Sequence, residues 1–186
     1  MNAVHRLLLA IPVFAAALLA GIHTGQQSRQ DKQHDNAPVT TTHPAAVATL
    51  FASTLADTKG HPQALAQWQG RILVLNFWAP WCPPCRDEMP GFSRLQRKFS
   101  GNGVQFVGIA LDTPESVNDF ARTNPATYPL LTGESTAETL TRLFGNTRLA
   151  LPYTAIIGAD GIVRATRTGA VDETDLERLL RQETSR

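Results

Sequence analysis

An α/β fold with a mixed sheet is what the sequence predicts, and three observations predict it. The run Arg71–Trp78, RILVLNFW, is continuous and mainly apolar between Gly70 and Pro80, the pattern of a strand buried on both faces. A helical spacing of Phe92, Leu95 and Phe99 follows, and Val104–Asp112, VQFVGIALD, then reads as a second buried strand. Strand, helix and strand in that order form a βαβ unit with parallel strands. Near the end, YTAIIGADGIVRATR reads as two strands joined around Asp160-Gly161, a hairpin and therefore an antiparallel portion.

Taken in order, the chain opens on His5 and Arg6 followed by Leu7–Ile22, an uncharged apolar stretch. Residues 1–22 are expected to be an export signal peptide or a membrane anchor. Sixteen residues fall slightly short of the roughly 20 that span a bilayer, so length leaves both open. Cleavage near Ala15–Ala17 would leave Leu18 and Leu19 on the new terminus, and cleavage after Ala20 misplaces Leu18, which favours the anchor. No cysteine follows LLAG, which excludes a lipoprotein. Residues 23–46 are rich in Gln, Thr, His and Pro and are expected to be a solvated polar linker. Its histidines, irregularly spaced, are not a metal tract.

Residues 47–186 are expected to form one domain. The helix after the first strand should start within Cys82–Pro84 and stop before the SGNG turn at Ser100–Gly103. Two further helices have recognisable starts: Thr113-Pro114 ahead of Val117 and Phe120, and Ser135 with Glu138 as a capping box ahead of Leu140, Leu143 and Phe144, ended by Gly145. Asp172 can cap a last helix carrying Leu176, Leu179 and Leu180. Seventeen Lys and Arg against sixteen Asp and Glu leave a formal charge of +1, which gives no nucleic-acid-binding field.

The chain's two cysteines stand in WCPPC, as Cys82 and Cys85. Zinc needs four ligands, and no second CxxC or HxxxH is present. Attachment of c-type haem needs His after the second cysteine, where Arg86 stands. A structural crosslink closing so small a loop removes little chain entropy. A peroxidatic cysteine is expected to have Thr or Ser three positions ahead, where Ala79 stands. A redox couple accounts for the spacing. Pro83 biases Cys82 away from the helical region and is tolerated in a first turn, so Cys82 falls at a helix N-terminus. There the free N–H groups and the macrodipole stabilise a thiolate. Cys85, three residues on, lies on the same face one turn inward and can resolve a mixed disulfide.

The blocks GRILVLNFWAPWCPPCRDEMP, VQFVGIALD and LPYTAIIGADGIV together resemble the thioredoxin superfamily, and within it the TlpA/ResA-like disulfide reductases of bacterial envelopes, from about Leu50 to the C-terminus. The resemblance implies a thioredoxin-like fold, a central mixed sheet flanked by helices. It implies that Cys82 is the attacking nucleophile, Cys85 the resolving thiol, and Pro152 a cis-proline facing their disulfide. Pro90 would kink the active-site helix, since an interior proline removes the hydrogen bond to Arg86. Where thioredoxin buries an aspartate, this chain has Asn76, which exchanges no proton near neutrality. Glu88 occupies the place of the family's active-site glutamate, and partial burial would raise its pKa and suit it to proton transfer with Cys85. Asp87 reads as an exposed first-turn acid. Trp78 and Trp81 are expected to serve packing more than chemistry, with Trp81, Pro83, Pro84 and Leu151 forming the substrate-docking surface.

The same resemblance implies no cofactor beyond the Cys82–Cys85 disulfide, protein thiol or disulfide substrates in the envelope, and a membrane electron donor of the DsbD/CcdA type. The expected location is the periplasm or outer face of the cytoplasmic membrane, with the inner membrane contacted through the N-terminal segment. Substrates of the class include apocytochrome c thiols, copper-site assembly proteins and other oxidised envelope proteins. Two departures stand out: Leu151 precedes Pro152 where a small or β-branched residue is usual, and the GxxGxPE-like signature of the dedicated cytochrome c maturation reductant is absent. A disulfide oxidase or isomerase is the alternative, followed by a thiol peroxidase or a non-catalytic thioredoxin-fold binding module.

Overall fold

The computed structural model describes residues 43–186. The expected signal or anchor and most of the expected linker lie outside these residues. Among the described residues no helix is long and apolar enough to cross a membrane.

Helix α1 (Pro44–Ala52) begins the described chain, with proline in its first turn. Pro44–Ala46, assigned by composition to the polar linker, are thus helical, and Ala46 is buried. A hairpin follows, β1 (Thr54–Asp57) and β2 (Pro62–Ala64), and a 3₁₀ turn at Leu65–Trp68 leads into β3 (Ile72–Trp78). Helix α2 (Pro83–Phe99), β4 (Val104–Ala110), α3 (Pro114–Thr123), β5 (Leu130–Thr132) and α4 (Glu134–Leu143) come next. The chain finishes with β6 (Tyr153–Ile157), β7 (Val163–Thr168) and α5 (Glu173–Thr184).

The seven strands form one sheet in the order β2-β1-β5-β4-β3-β6-β7. β3, β4 and β5 run parallel, while β1, β2, β6 and β7 add antiparallel pairings on the two sides. All seven residues of β3 are buried, as a central strand covered on both faces requires. Because side chains alternate along a strand, Ile72, Val74 and Trp78 enter one core layer and Leu73, Leu75 and Phe77 the other. The first layer takes Phe92 and Leu95 of α2, Val117 of α3, and Leu176 and Leu180 of α5. The second takes Val47 and Leu50 of α1 and Ala137 and Leu140 of α4.

The helix caps follow the sequence in two of three cases. Thr113 accepts a hydrogen bond from Ser116 N at 3.2 Å, and Asp172 accepts from Thr174 N and Asp175 N. The Ser135–Glu138 box does not form: α4 starts two residues earlier, with Gly133 at its N-cap and no side-chain cap. A Cβ at Gly133 would fall 2.4 Å from Leu55 Cδ2 of β1, so any larger residue at this N-cap requires Leu55 to shift. Gly108 in β4 is similarly confined, its Cβ position lying 2.8 Å from Leu130 Cδ2 and 3.1 Å from Trp78 Nε1. Gly108→Ala is therefore expected to destabilise the domain by about 1–3 kcal/mol through overpacking. A urea melt reads this as a lower midpoint at unchanged slope, and an unchanged midpoint would show that Leu130 moves aside freely.

Candidate active site

Cys82 is the N-cap of α2 in extended conformation, with prolines in the first turn, as the WCPPC spacing predicts. Arg86 N donates to Cys82 O at 3.2 Å, closing the first helical turn. The two sulfurs are joined in a disulfide with the Cα atoms 5.3 Å apart. Cys82 is 4% exposed and Cys85 fully buried, so an incoming group meets Cys82 first. α2 continues through Pro90 to Phe99, stopping before the SGNG turn as the sequence predicts.

Around the disulfide, Trp81 is 66% exposed and Pro83 and Pro84 are exposed. The two tryptophans therefore part company. Trp78 is fully buried against Phe120, ring centroids 5.1 Å apart, as expected of packing, whereas Trp81 presents a large apolar face to solvent. Leu151, half-buried, packs against the core layer that holds both cysteines. The Leu151–Pro152 peptide is cis, and Gly169 N donates to Pro152 O at 2.8 Å. Pro152 immediately precedes β6, whose Tyr153 and Thr154 pair with Phe77 and Asn76 of β3. It therefore stands at the end of β3 from which the cysteine loop departs.

Glu88, one turn beyond Cys85, is only 7% exposed. Its Oε1 accepts from Asn76 Nδ2 at 2.9 Å and its Oε2 from Val171 N at 3.0 Å. Burial pushes its pKa up to about 7, against the opposing pull of these two donors. Asn76 Nδ2 also donates to the buried Thr154 Oγ1 at 3.1 Å, which ties Glu88 to the strand after Pro152. The sequence marked Asn76 as unable to exchange a proton; its amide holds the group that can. Thr154 and Val171 went unnoticed. Thr154 was accessible in principle from the pairing register, but Val171 contributes only a backbone N–H, which no side-chain pattern records. Tyr128 is buried nearby, and burial, with the Glu88 carboxylate second, raises its pKa. Asp87 is exposed.

Among the described residues no group of three or more His, Cys, Asp or Glu side chains is placed to hold a metal ion. The chemistry available is exchange between the Cys82–Cys85 disulfide and an external thiol pair.

The AhpC/TSA family model matches residues 45–166. The thiol-disulfide oxidoreductase ResA of Geobacillus kaustophilus is 32% identical over 127 residues, which cover 68% of this chain and 71% of that protein. A thioredoxin-related protein from Neisseria meningitidis serogroup B has a crystal structure that superposes with a TM-score of 0.63 at 32% identity, covering 71% of this chain and 99% of its own. A putative thiol:disulfide interchange protein DsbE from Chlorobium tepidum superposes with a TM-score of 0.65 at 26% identity, covering 71% and 92%. With its N-capping cysteine, the disulfide and this likeness together, the chain belongs to the AhpC/TSA family, as a ResA-like thiol-disulfide oxidoreductase of thioredoxin fold.

Proposed function

We propose that this oxidoreductase works as a reductase of protein disulfides outside the cytoplasm, with Cys82 attacking, Cys85 resolving and Glu88 moving the proton. The Cys82 thiolate attacks one sulfur of a substrate disulfide, and the other substrate sulfur leaves as a thiolate. The Cys85 thiol gives its proton to the Glu88 carboxylate and attacks Cys82 Sγ. The second substrate sulfur leaves and is protonated, two electrons having passed to the substrate and formed the Cys82–Cys85 disulfide. A dithiol of a membrane partner of the DsbD/CcdA type would restore the reduced state. Trp81, Pro83, Pro84 and Leu151 would receive the substrate, with Pro152 against the reacting sulfurs.

The observation that supports the reducing direction is the proline pair. Pro83 and Pro84 open α2, so two of the N–H groups that a helix N-terminus offers an anion are missing beside Cys82. A less stabilised thiolate makes a more reducing couple. A glutathione-buffered redox titration tests this, and a potential near about −120 mV, that of the strong oxidant DsbA, would overturn it. Pro84→Ala restores one donor and is expected to raise the potential by about 30 mV, equivalent to about 1.4 kcal/mol for a two-electron couple.

Location outside the cytoplasm rests on the apolar run Leu7–Ile22 behind Arg6. Retention of the full chain in carbonate-washed membranes is expected; a soluble form beginning beyond Leu18 would identify a cleaved signal instead. Cytochrome c thiols are one substrate class compatible with this reading.

A further inference from the structure

Along α2, Cys82, Arg86, Pro90, Ser93 and Arg97 follow one another at spacings of four, four, three and four, which places them in one stripe down the helix. Below Cys82 this stripe borders an open cavity of about 390 Å³ between α2 and the segment Phe120–Thr127. Arg86, Arg94 and Arg97 line it, with Met89, Phe120 and Ala126 among the apolar residues, and no carboxylate residue lines it. Arg94 is engaged by Glu173 of α5. Among the described residues, Arg86 and Arg97 have no salt-bridge partner.

We propose that this cavity docks an acidic segment of the protein whose disulfide is exchanged at Cys82. The inference rests on the exchange reaction and adds a determinant of partner choice to it. Eleven residues separate Arg86 from Arg97, about 16 Å of helix at 1.5 Å per residue. That span is too long for one small anion to neutralise both cations, but about five residues of extended chain cover it. A partner cysteine seated on Cys82 therefore directs its flanking chain past Arg86 toward Arg97, and carboxylates on that chain meet both. Methylene stems, Met89 and Phe120 give the same segment apolar contact. Exposed guanidiniums of this kind act chiefly on encounter rate and specificity, and salt weakens them.

The experiment compares disulfide-bonded peptides that share one Cys-x-x-Cys core and differ in a five-residue flank, acidic, neutral or basic. The full-length reduced protein is expected to show a kcat/KM for the acidic peptide roughly fivefold above that for the neutral one at low ionic strength, with the difference fading at high salt. Arg97→Glu should reverse the order in favour of the basic flank, and Arg178→Glu, at an exposed position of α5 outside the cavity, should keep the wild-type order. The ratio between peptides cancels any general effect on thiol chemistry. Binding of the fluorescent acidic flank alone to the oxidised protein, followed by anisotropy, reads docking independently of exchange. Bis(2-hydroxyethyl) disulfide, small and uncharged, reads exchange independently of docking; failure there counts against the redox reading alone. Equal kcat/KM for acidic and neutral peptides, a preference that survives Arg97→Glu, or binding of phosphatidylglycerol vesicles in place of the acidic flank would each overturn the proposal.

Discussion

Cys82→Ser is expected to abolish reduction of insulin disulfides in the presence of dithiothreitol, with no residual rate above the uncatalysed one. A serine hydroxyl at this position is not ionised near neutral pH and forms no mixed disulfide, so the first step is lost rather than slowed. The fold should survive, because serine has the shape of cysteine in a smaller volume and the Cys82–Cys85 loop spans only three residues of separation. Cys85→Ser should behave differently. Its partner sulfur, Cys82, still attacks, but the resolving thiol is gone, so the mixed disulfide accumulates and captures the physiological substrate covalently. Equal insulin reduction by Cys82→Ser and wild type would remove the assigned mechanism. Capture by Cys82→Ser in place of Cys85→Ser would invert the two roles.

Glu88→Gln is expected to slow exchange by roughly 100-fold, the lower range for loss of a positioned general base. It should also remove a step near pH 7 from the pH dependence of Cys85 alkylation. The same substitution has a signature in stability whose sign follows from linkage. Glu88 titrates at about 7 in the folded protein against an ordinary 4.5. Between those values the folded state holds a proton that the unfolded state has released. Stability therefore falls as pH rises from about 4.5 to 7 and levels above, by roughly 3 kcal/mol at most. In Glu88→Gln this slope should vanish. One of the donors Asn76 Nδ2 and Val171 N then loses its acceptor, because a glutamine carries a single carbonyl oxygen, which lowers stability by about 1–3 kcal/mol at all pH values. Denaturant melts across pH 4 to 8 separate the two effects, slope from offset. A slope that persists in Glu88→Gln would assign it to another group. Asp87→Asn, on the exposed side of the same turn, is the control and should change neither rate nor slope.

Much of the fold was legible because the strong elements are periodic and long. The run Ile72–Trp78 contains its own assignment: seven residues buried without alternation leave a central strand as the economical reading. Asp172 and Thr113 state their caps in the sequence, since the capping atom belongs to the residue itself. What went unread is short or depends on a neighbour. β5 is three residues long, too few for a period to appear, and is a strand because β4 pairs with it through Gly108–Leu130 and β1 through Ala56–Thr132. The β1–β2 hairpin and α1 share this dependence, α1 being held by Ala46, Val47 and Leu50 in the second core layer. The cap of α4 is Gly133 in place of Ser135, at a point where Leu55, nearly eighty residues earlier in the chain, packs close against the glycine.

By itself the sequence determined the redox pair: spacing places Cys82 and Cys85 one turn apart, and proline after Cys82 sets the helix start, so local geometry alone puts a thiol at a helix N-terminus. Glu88 was named only through the resemblance to envelope disulfide reductases, which carry a glutamate at this place. Only the tertiary structure decided what Glu88 is, because a carboxylate's pKa depends on what surrounds it. Glu88 is buried to 7% exposure on α2, Asn76 reaches it from β3, and Val171 offers its N–H from the loop before α5. Desolvation and hydrogen bonding act through space over a few ångströms, and the groups that exert them here are twelve and eighty-three residues away along the chain.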